Sequence, residues 1–147
     1  MPNVVTVVDI GATPEAVASV LLDAEAAPVW TSGLVQLELV QGVAGEPGSV
    51  GLAHYGQGRR RYTLQDRLIA VTPNRHYLSE VTGGGLTATV ETSLEPLATG
   101  TRMTVSWSGR GTSPVTRLTL PLLKPLILRR ARSDLRALGS LVESTSS

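Results

Sequence analysis

The chain has 147 residues, a usual length for one domain built around one core. Its 13 basic and 12 acidic residues leave a net charge of +1, which argues against a nucleic-acid-binding surface, and the absence of cysteine excludes disulfides, thiol nucleophiles and cysteine-based metal sites. Hydrophobic residues make up 41%, charged residues only 17% and aromatics 3%, with no Phe, so the core must be built mainly from Val, Leu and Ala.

The N-terminus to Ile10 reads as a strand, with the β-branched run Val4-Val5-Thr6-Val7-Val8 at its centre. Thr13 and Pro14 then supply a helix cap and a first helical residue. Glu15 suits the positive end of the helix dipole, and Val17, Val20 and Leu21 keep helical spacing, which predicts a helix over 14–22. Residues 23–33 form a second short helix or turn ending near Pro28, Trp30 and Gly33. From there the period becomes two. Val35, Leu37 and Leu39 alternate with Gln36, Glu38 and Val40.

Residues 42–48 are a Gly/Pro loop, 49–55 a strand, and Gly56-Gln57-Gly58 a hairpin turn. A longer strand covers 60–71, with Tyr62, Leu64, Asp66 and Leu68 on one face. Strands at 76–81, 86–94 and 103–107 follow, separated by turns at 72–75, 83–85 and 98–100. Leu86, Ala88, Val90 and Leu94 share a face, as do Met103, Val105 and Trp107.

The last segment is helical from Ser113-Pro114. Pro121 and Pro125 must kink or restart it, because each lacks a backbone donor and crowds the preceding turn. Ile127, Ala131, Leu135, Leu138 and Val142 then form one apolar stripe, and the tail 143–147 is expected to fray. No signal peptide is visible, and the apolar run 118–128 is far shorter than the roughly 20 residues a spanning helix needs. The expectation is one cytoplasmic domain, residues 1–147, acting as a monomer or homodimer with no transmembrane segment.

Strand, two short helices, six strands joined by tight turns and a long helix is an order that resembles the START/SRPBCC superfamily. That superfamily includes Bet v 1-like proteins and the polyketide cyclase/dehydrase group. The resemblance is carried by residues 10–17 (IGATPEAV), Trp30, residues 68–73 (LIAVTP), Leu94-Glu95-Pro96 followed by residues 100–104 (GTRMT), and the ending 135–142. It spans about residues 4–142. It implies an α+β helix-grip fold: a curved antiparallel sheet of about seven strands wrapping the C-terminal helix, with an internal cavity for a hydrophobic small molecule of lipid, isoprenoid or polyketide type.

Strand parity and the resemblance together make Trp30, Tyr62, Leu64, Val90, Val105, Trp107 and Leu122 the candidate ligand contacts. His54 and Tyr55 are neighbours, so only one of them faces inward. If the chain is instead a cyclase, aromatase or dehydratase, Asp66 or His54 would take an acidic α-proton, and Tyr62 or an Arg would stabilise the enolate. No nucleotide-loop, zinc-protease or serine-hydrolase motif is present, and neither a metal nor a cofactor is expected. Arg59-Arg60-Arg61 reads as the solvated end of a hairpin rather than a phosphate loop. Arg129, Arg130 and Arg132 read as the wet face of the last helix. A docking role for 118–128 at a membrane or partner predicts that this run is exposed.

Overall fold

The computed structural model describes residues 3–57 and 59–146; Met1, Pro2, Gly58 and Ser147, into which the expected first strand, 56–58 turn and tail extend, lie outside the described residues. Strand β1 (Asn3–Ile10) leads into helices α1 (Pro14–Leu21) and α2 (Ala27–Trp30). Six strands follow: β2 (Leu34–Gln41), β3 (Val50–Gln57), β4 (Arg60–Thr72), β5 (His76–Gly83), β6 (Leu86–Leu97) and β7 (Gly100–Gly111). Helix α3 (Pro114–Thr119), a 3-10 turn at Leu120–Leu123 and helix α4 (Lys124–Ser146) complete the chain.

The seven strands form one antiparallel sheet in the order β1-β7-β6-β5-β4-β3-β2. Sequential hairpins build it from β2 to β7, and β1 closes onto β7. Irregularities in β2 and β4 bend it, because an extra residue on one strand sharpens the local twist. The first lies between Leu34 and Gln36. It breaks the expected alternation, so Leu34 is buried and Val35 is 57% exposed. Another follows in β2 between Leu39 and Gln41, and the one in β4, between Leu68 and Ala70, pushes Ile69 to the outside.

Helix starts follow their local chemistry. The Thr13 hydroxyl accepts from the Ala16 amide at 3.2 Å with Pro14 behind it, and Ser113 accepts from the Thr116 amide at 3.3 Å. The C-terminal helix is segmented rather than kinked. Pro125 sits in the first turn of α4, where a missing N–H costs no helical bond. The expected stripe is present: Leu135, Leu138 and Val142 are buried and Ala131 is half-buried. The expected fraying at Glu143 is not. Helix α4 runs on through it, and its carboxylate accepts the Gly11 amide at 2.7 Å, tying the end of the chain to the end of β1.

The main core gathers Ile10, Val17, Leu94, Met103, Leu138 and Val142 between the sheet, α1 and the C-terminal half of α4. A second, smaller cluster of Ala27, Leu34 and Ala53 lies under α2.

Candidate functional site

The concave face of the sheet is set by parity and register. Tyr55, Ala53 and Gly51 on β3 stand beside Leu64, Asp66 and Leu68 on β4, and the same face continues through Tyr77 and Ser79, Val90 and Thr92, and Val105 and Met103. Helix α4 crosses this face with Ala131, Asp134 and Leu135, and α2 adds Trp30. These walls form a partly open cavity of 380 Å³ whose lining is mostly apolar. On its side toward β2, β3 and α2 the small residues Ala24, Ala27, Ala44, Gly45, Gly51 and Ala53 line it alongside Trp30, Leu34, Leu37, Leu39 and Tyr55.

Tyr55, Asp66 and Asp134 are among the polar residues that interrupt the apolar lining, with Ser49, Ser79 and Thr92. The Tyr55 hydroxyl is pushed up to about 12, first by burial and then by Tyr62, Asp66 and Asp134 nearby. Burial also raises Asp66 above the usual carboxylate range, and its hydrogen bond with Ser79 opposes that shift. Asp134 accepts the Ser32 amide at 3.1 Å and the Ser32 hydroxyl, which anchors α4 to the segment after α2. Trp30 Nε1 is buried and has no acceptor among the described residues. An unmade hydrogen bond of this kind costs about 1–3 kcal/mol.

Of the expected contacts, Trp30, Val90 and Val105 line this cavity, as does Asp66. Tyr62, Leu64, Trp107, Leu122 and His54 do not line it. Tyr62 shares the concave face but lies at the start of β4, 39% exposed, with its ring stacked on Tyr55 at 5.0 Å and 6°. Leu64 packs on the small cluster under α2. Trp107 points inward, but its indole lies over Gly109, where an added Cβ would meet the ring at 2.3 Å. Leu122 is 78% exposed, because the 3-10 turn carries it away from the sheet.

His54 lies on the convex face. Its Nδ1 is 3.0 Å from the Thr63 hydroxyl and its Nε2 is 3.3 Å from Glu38, so it cannot reach a ligand in the cavity. Tyr55 takes the inward position. Sequence reasoning leaves the choice between these neighbours open, and it does not single out Ser79 or Asp134. Asp134 directly precedes Leu135 of the apolar stripe, and that adjacency is the one available signal. Among the described residues no three His, Asp or Glu side chains gather closely enough to hold a metal ion, and no helix is long and apolar enough to cross a membrane.

A bent antiparallel sheet closed by a C-terminal helix over an apolar cavity defines a helix-grip protein. The chain belongs to the family described as polyketide cyclase / dehydrase and lipid transport, whose model matches residues 1–143. Its fold is similar to that of TTHA0849 from Thermus thermophilus, with 20% identity and a TM-score of 0.82 over 99% of this chain and 100% of that one. It is also similar to the Zhui aromatase/cyclase from Streptomyces sp. R1128, with 18% identity and a TM-score of 0.77 over 96% and 93%. Ara h 8.0201 shares 17% identity at a TM-score of 0.73 over 97% of both chains. No curated protein matches the sequence at a significant level.

Proposed function

We propose that this protein binds a mostly apolar small molecule carrying at least one hydrogen-bond acceptor. One observation carries the reading: a 380 Å³ cavity has a mostly apolar lining that includes Trp30, whose buried Nε1 no described protein group satisfies. The volume exceeds the roughly 300 Å³ at which ligand pockets begin, and a few fixed polar groups in an apolar wall are how such pockets orient a ligand. A ligand ketone or ester oxygen would remove the cost of the unmade bond once a small shift of the Trp30 indole exposes its Nε1 to the cavity.

The test pairs two probes of the same shape, acetylnaphthalene and ethylnaphthalene, titrated by calorimetry. The ketone should bind several-fold more tightly than the hydrocarbon, and Trp30→Phe should erase that difference while leaving hydrocarbon binding in place. If neither probe binds, and native mass spectrometry of protein from its own host shows no co-purified small molecule, the binding reading falls. If both probes bind equally, the role of Trp30 falls alone.

A second reading, a cyclase or dehydratase, is favoured by Asp66 and Tyr55 facing the same cavity. With its carboxyl raised by burial, Asp66 is suited to moving a proton at an activated α-carbon, and the Tyr55 hydroxyl is suited to donating to the enolate oxygen. Under this reading Asp66→Asn lowers turnover of a poly-β-ketone thioester by roughly a hundredfold or more, a typical loss for a general base, with ketone binding retained. Unchanged turnover in Asp66→Asn and Tyr55→Phe would remove it.

A further inference from the structure

Charge is not spread evenly over this nearly neutral chain. Between Glu95 and Asp134 there is no acidic residue, and seven basic residues fall in that interval. The topology collects most of them at one pole. The β3–β4 hairpin ends in exposed Arg59, Arg60 and Arg61. The β5–β6 hairpin lies beside it, since Gly83 abuts Thr63 and Leu64. Helix α3 is pinned to that second hairpin by the Thr116 hydroxyl, which donates to the Gly85 carbonyl at 2.9 Å. Arg117 and Lys124 follow, and Arg129 and Arg132 lie on the first turns of α4, all exposed. The ion pairs at His54, Arg75, His76 and Arg102 do not involve Arg117, Lys124, Arg129 or Arg132. The opposite pole, where the C-terminal end of α4 meets Gly11, carries Asp9, Glu15, Glu95 and Glu143.

The basic pole is also where large apolar side chains face outward. Leu118 and Leu122 are each 78% exposed, and Val115, Leu123 and Leu126 are exposed beside them. Scattered surface leucines need no explanation, but five exposed large apolar residues within twelve consecutive positions are a local concentration that does. Leucines flanked by cations match an anionic bilayer, where apolar side chains enter the acyl boundary and each Lys or Arg gains from the negative surface potential. The positive end of the α4 dipole adds to that field. A second copy of the chain is a poorer occupant. A two-fold contact through this patch would bring the basic residues of both copies, Lys124 and Arg129 among them, into one interface. The patch is one helical stretch away from Ala131, Asp134 and Leu135 of the cavity wall.

We infer that the α3–α4 segment is a membrane-docking surface, with Leu118, Leu122, Leu123 and Leu126 as the inserted residues and Arg117, Lys124, Arg129 and Arg132 as the headgroup contacts for anionic lipid.

The test is co-sedimentation of the full chain with vesicles of phosphatidylcholine alone and of phosphatidylcholine mixed with phosphatidylglycerol. Binding should require phosphatidylglycerol and fall steeply with added salt. The double variants Leu118→Glu/Leu122→Glu and Lys124→Glu/Arg129→Glu should each weaken it by roughly tenfold or more. Their circular dichroism and acetylnaphthalene binding should stay unchanged, because none of the four residues lines the cavity. Equal binding to both vesicle types, no binding at low salt, or binding that survives both double variants overturns the inference. So does a dimer, seen by light scattering, that Leu118→Glu/Leu122→Glu dissolves.

Discussion

The two halves of the concave face are made from the same kinds of strand and end differently. Toward β1, β7 and the C-terminal half of α4, the facing residues are Ile10, Met103, Leu94, Leu138 and Val142, all buried to 2% exposure or less. Polar ties lock that end: Glu143 to Gly11 at 2.7 Å, the Thr101 hydroxyl to the Ala12 carbonyl at 2.7 Å, and Arg102 forked onto Asp9 at 2.9 and 3.1 Å. Toward β2, β3 and α2 the small residues Gly51, Ala53 and Ala27 stand among Leu34, Leu37, Tyr55 and Trp30, and the space that the small ones leave, together with Ala131 of α4, contributes to the cavity. Side-chain volume separates scaffold from site. Where the residues are large, helix and sheet fill one another. Where they are small, the backbone spacing set by the packed half keeps a hole open.

If that division is right, mutations in the two halves should affect different observables. The largest stability loss is expected from Leu138→Ala in the packed half, about 3 kcal/mol by urea denaturation, because both transfer energy and a new void are lost. Ketone affinity should hardly change in this variant. A loss below about 1 kcal/mol would show that the packed half is not the scaffold. Next comes Gly109→Ala, about 2 kcal/mol, since the new methyl displaces the Trp107 indole. It should be visible as a change in tryptophan fluorescence together with a lowered denaturation midpoint.

In the open half, Ala53→Leu should reverse the pattern. The added carbons have space to occupy, so stability should shift by less than about 1 kcal/mol, while acetylnaphthalene affinity falls roughly tenfold as the cavity fills. Equal losses of stability in Leu138→Ala and Ala53→Leu would erase the distinction between the halves.

The smallest expected effect is on pH dependence, and it has opposite signs at the two ends. Asp66 holds its proton more tightly folded than unfolded. Its contribution to stability is therefore full at low pH and declines as pH rises through the window between the ordinary carboxylate value and its raised one. Asp9 is lowered by Arg102, so its contribution is present above the ordinary value and is lost as pH falls through its lowered one. Asp66→Asn should flatten the first limb of the stability–pH curve, Asp9→Asn the second. Denaturation midpoints measured between acid and neutral pH would separate them.

Much of the fold was legible because its signals are local. Alternation on β6 and β7 placed Val90 and Val105 inward, Thr13-Pro14 and Ser113-Pro114 marked two helix starts, and the Ile127-to-Val142 stripe marked the face of α4 that meets the sheet. The site was less legible. Parity says which face a residue occupies, but not how far along the sheet it sits. Tyr62 shares a face with Asp66 and Leu68, yet lies near the end of its strand, stacked on Tyr55 rather than among the residues lining the cavity. Trp107 shares a face with Val105, yet Gly109 provides a place for its ring outside the cavity.

By itself, then, the sequence determined the element order, the two periodicities and the apolar face of each element, since these depend on neighbours one to four residues away. Only the tertiary structure decided that Tyr55 and not His54 turns inward. It alone brought Ser79 and Asp134 to the cavity that Asp66 and Trp30 also line, and it turned Leu118 and Leu122 outward at a basic pole. Those outcomes depend on bulges, on register between strands and on where α4 crosses the sheet, which are relations between residues far apart in the chain.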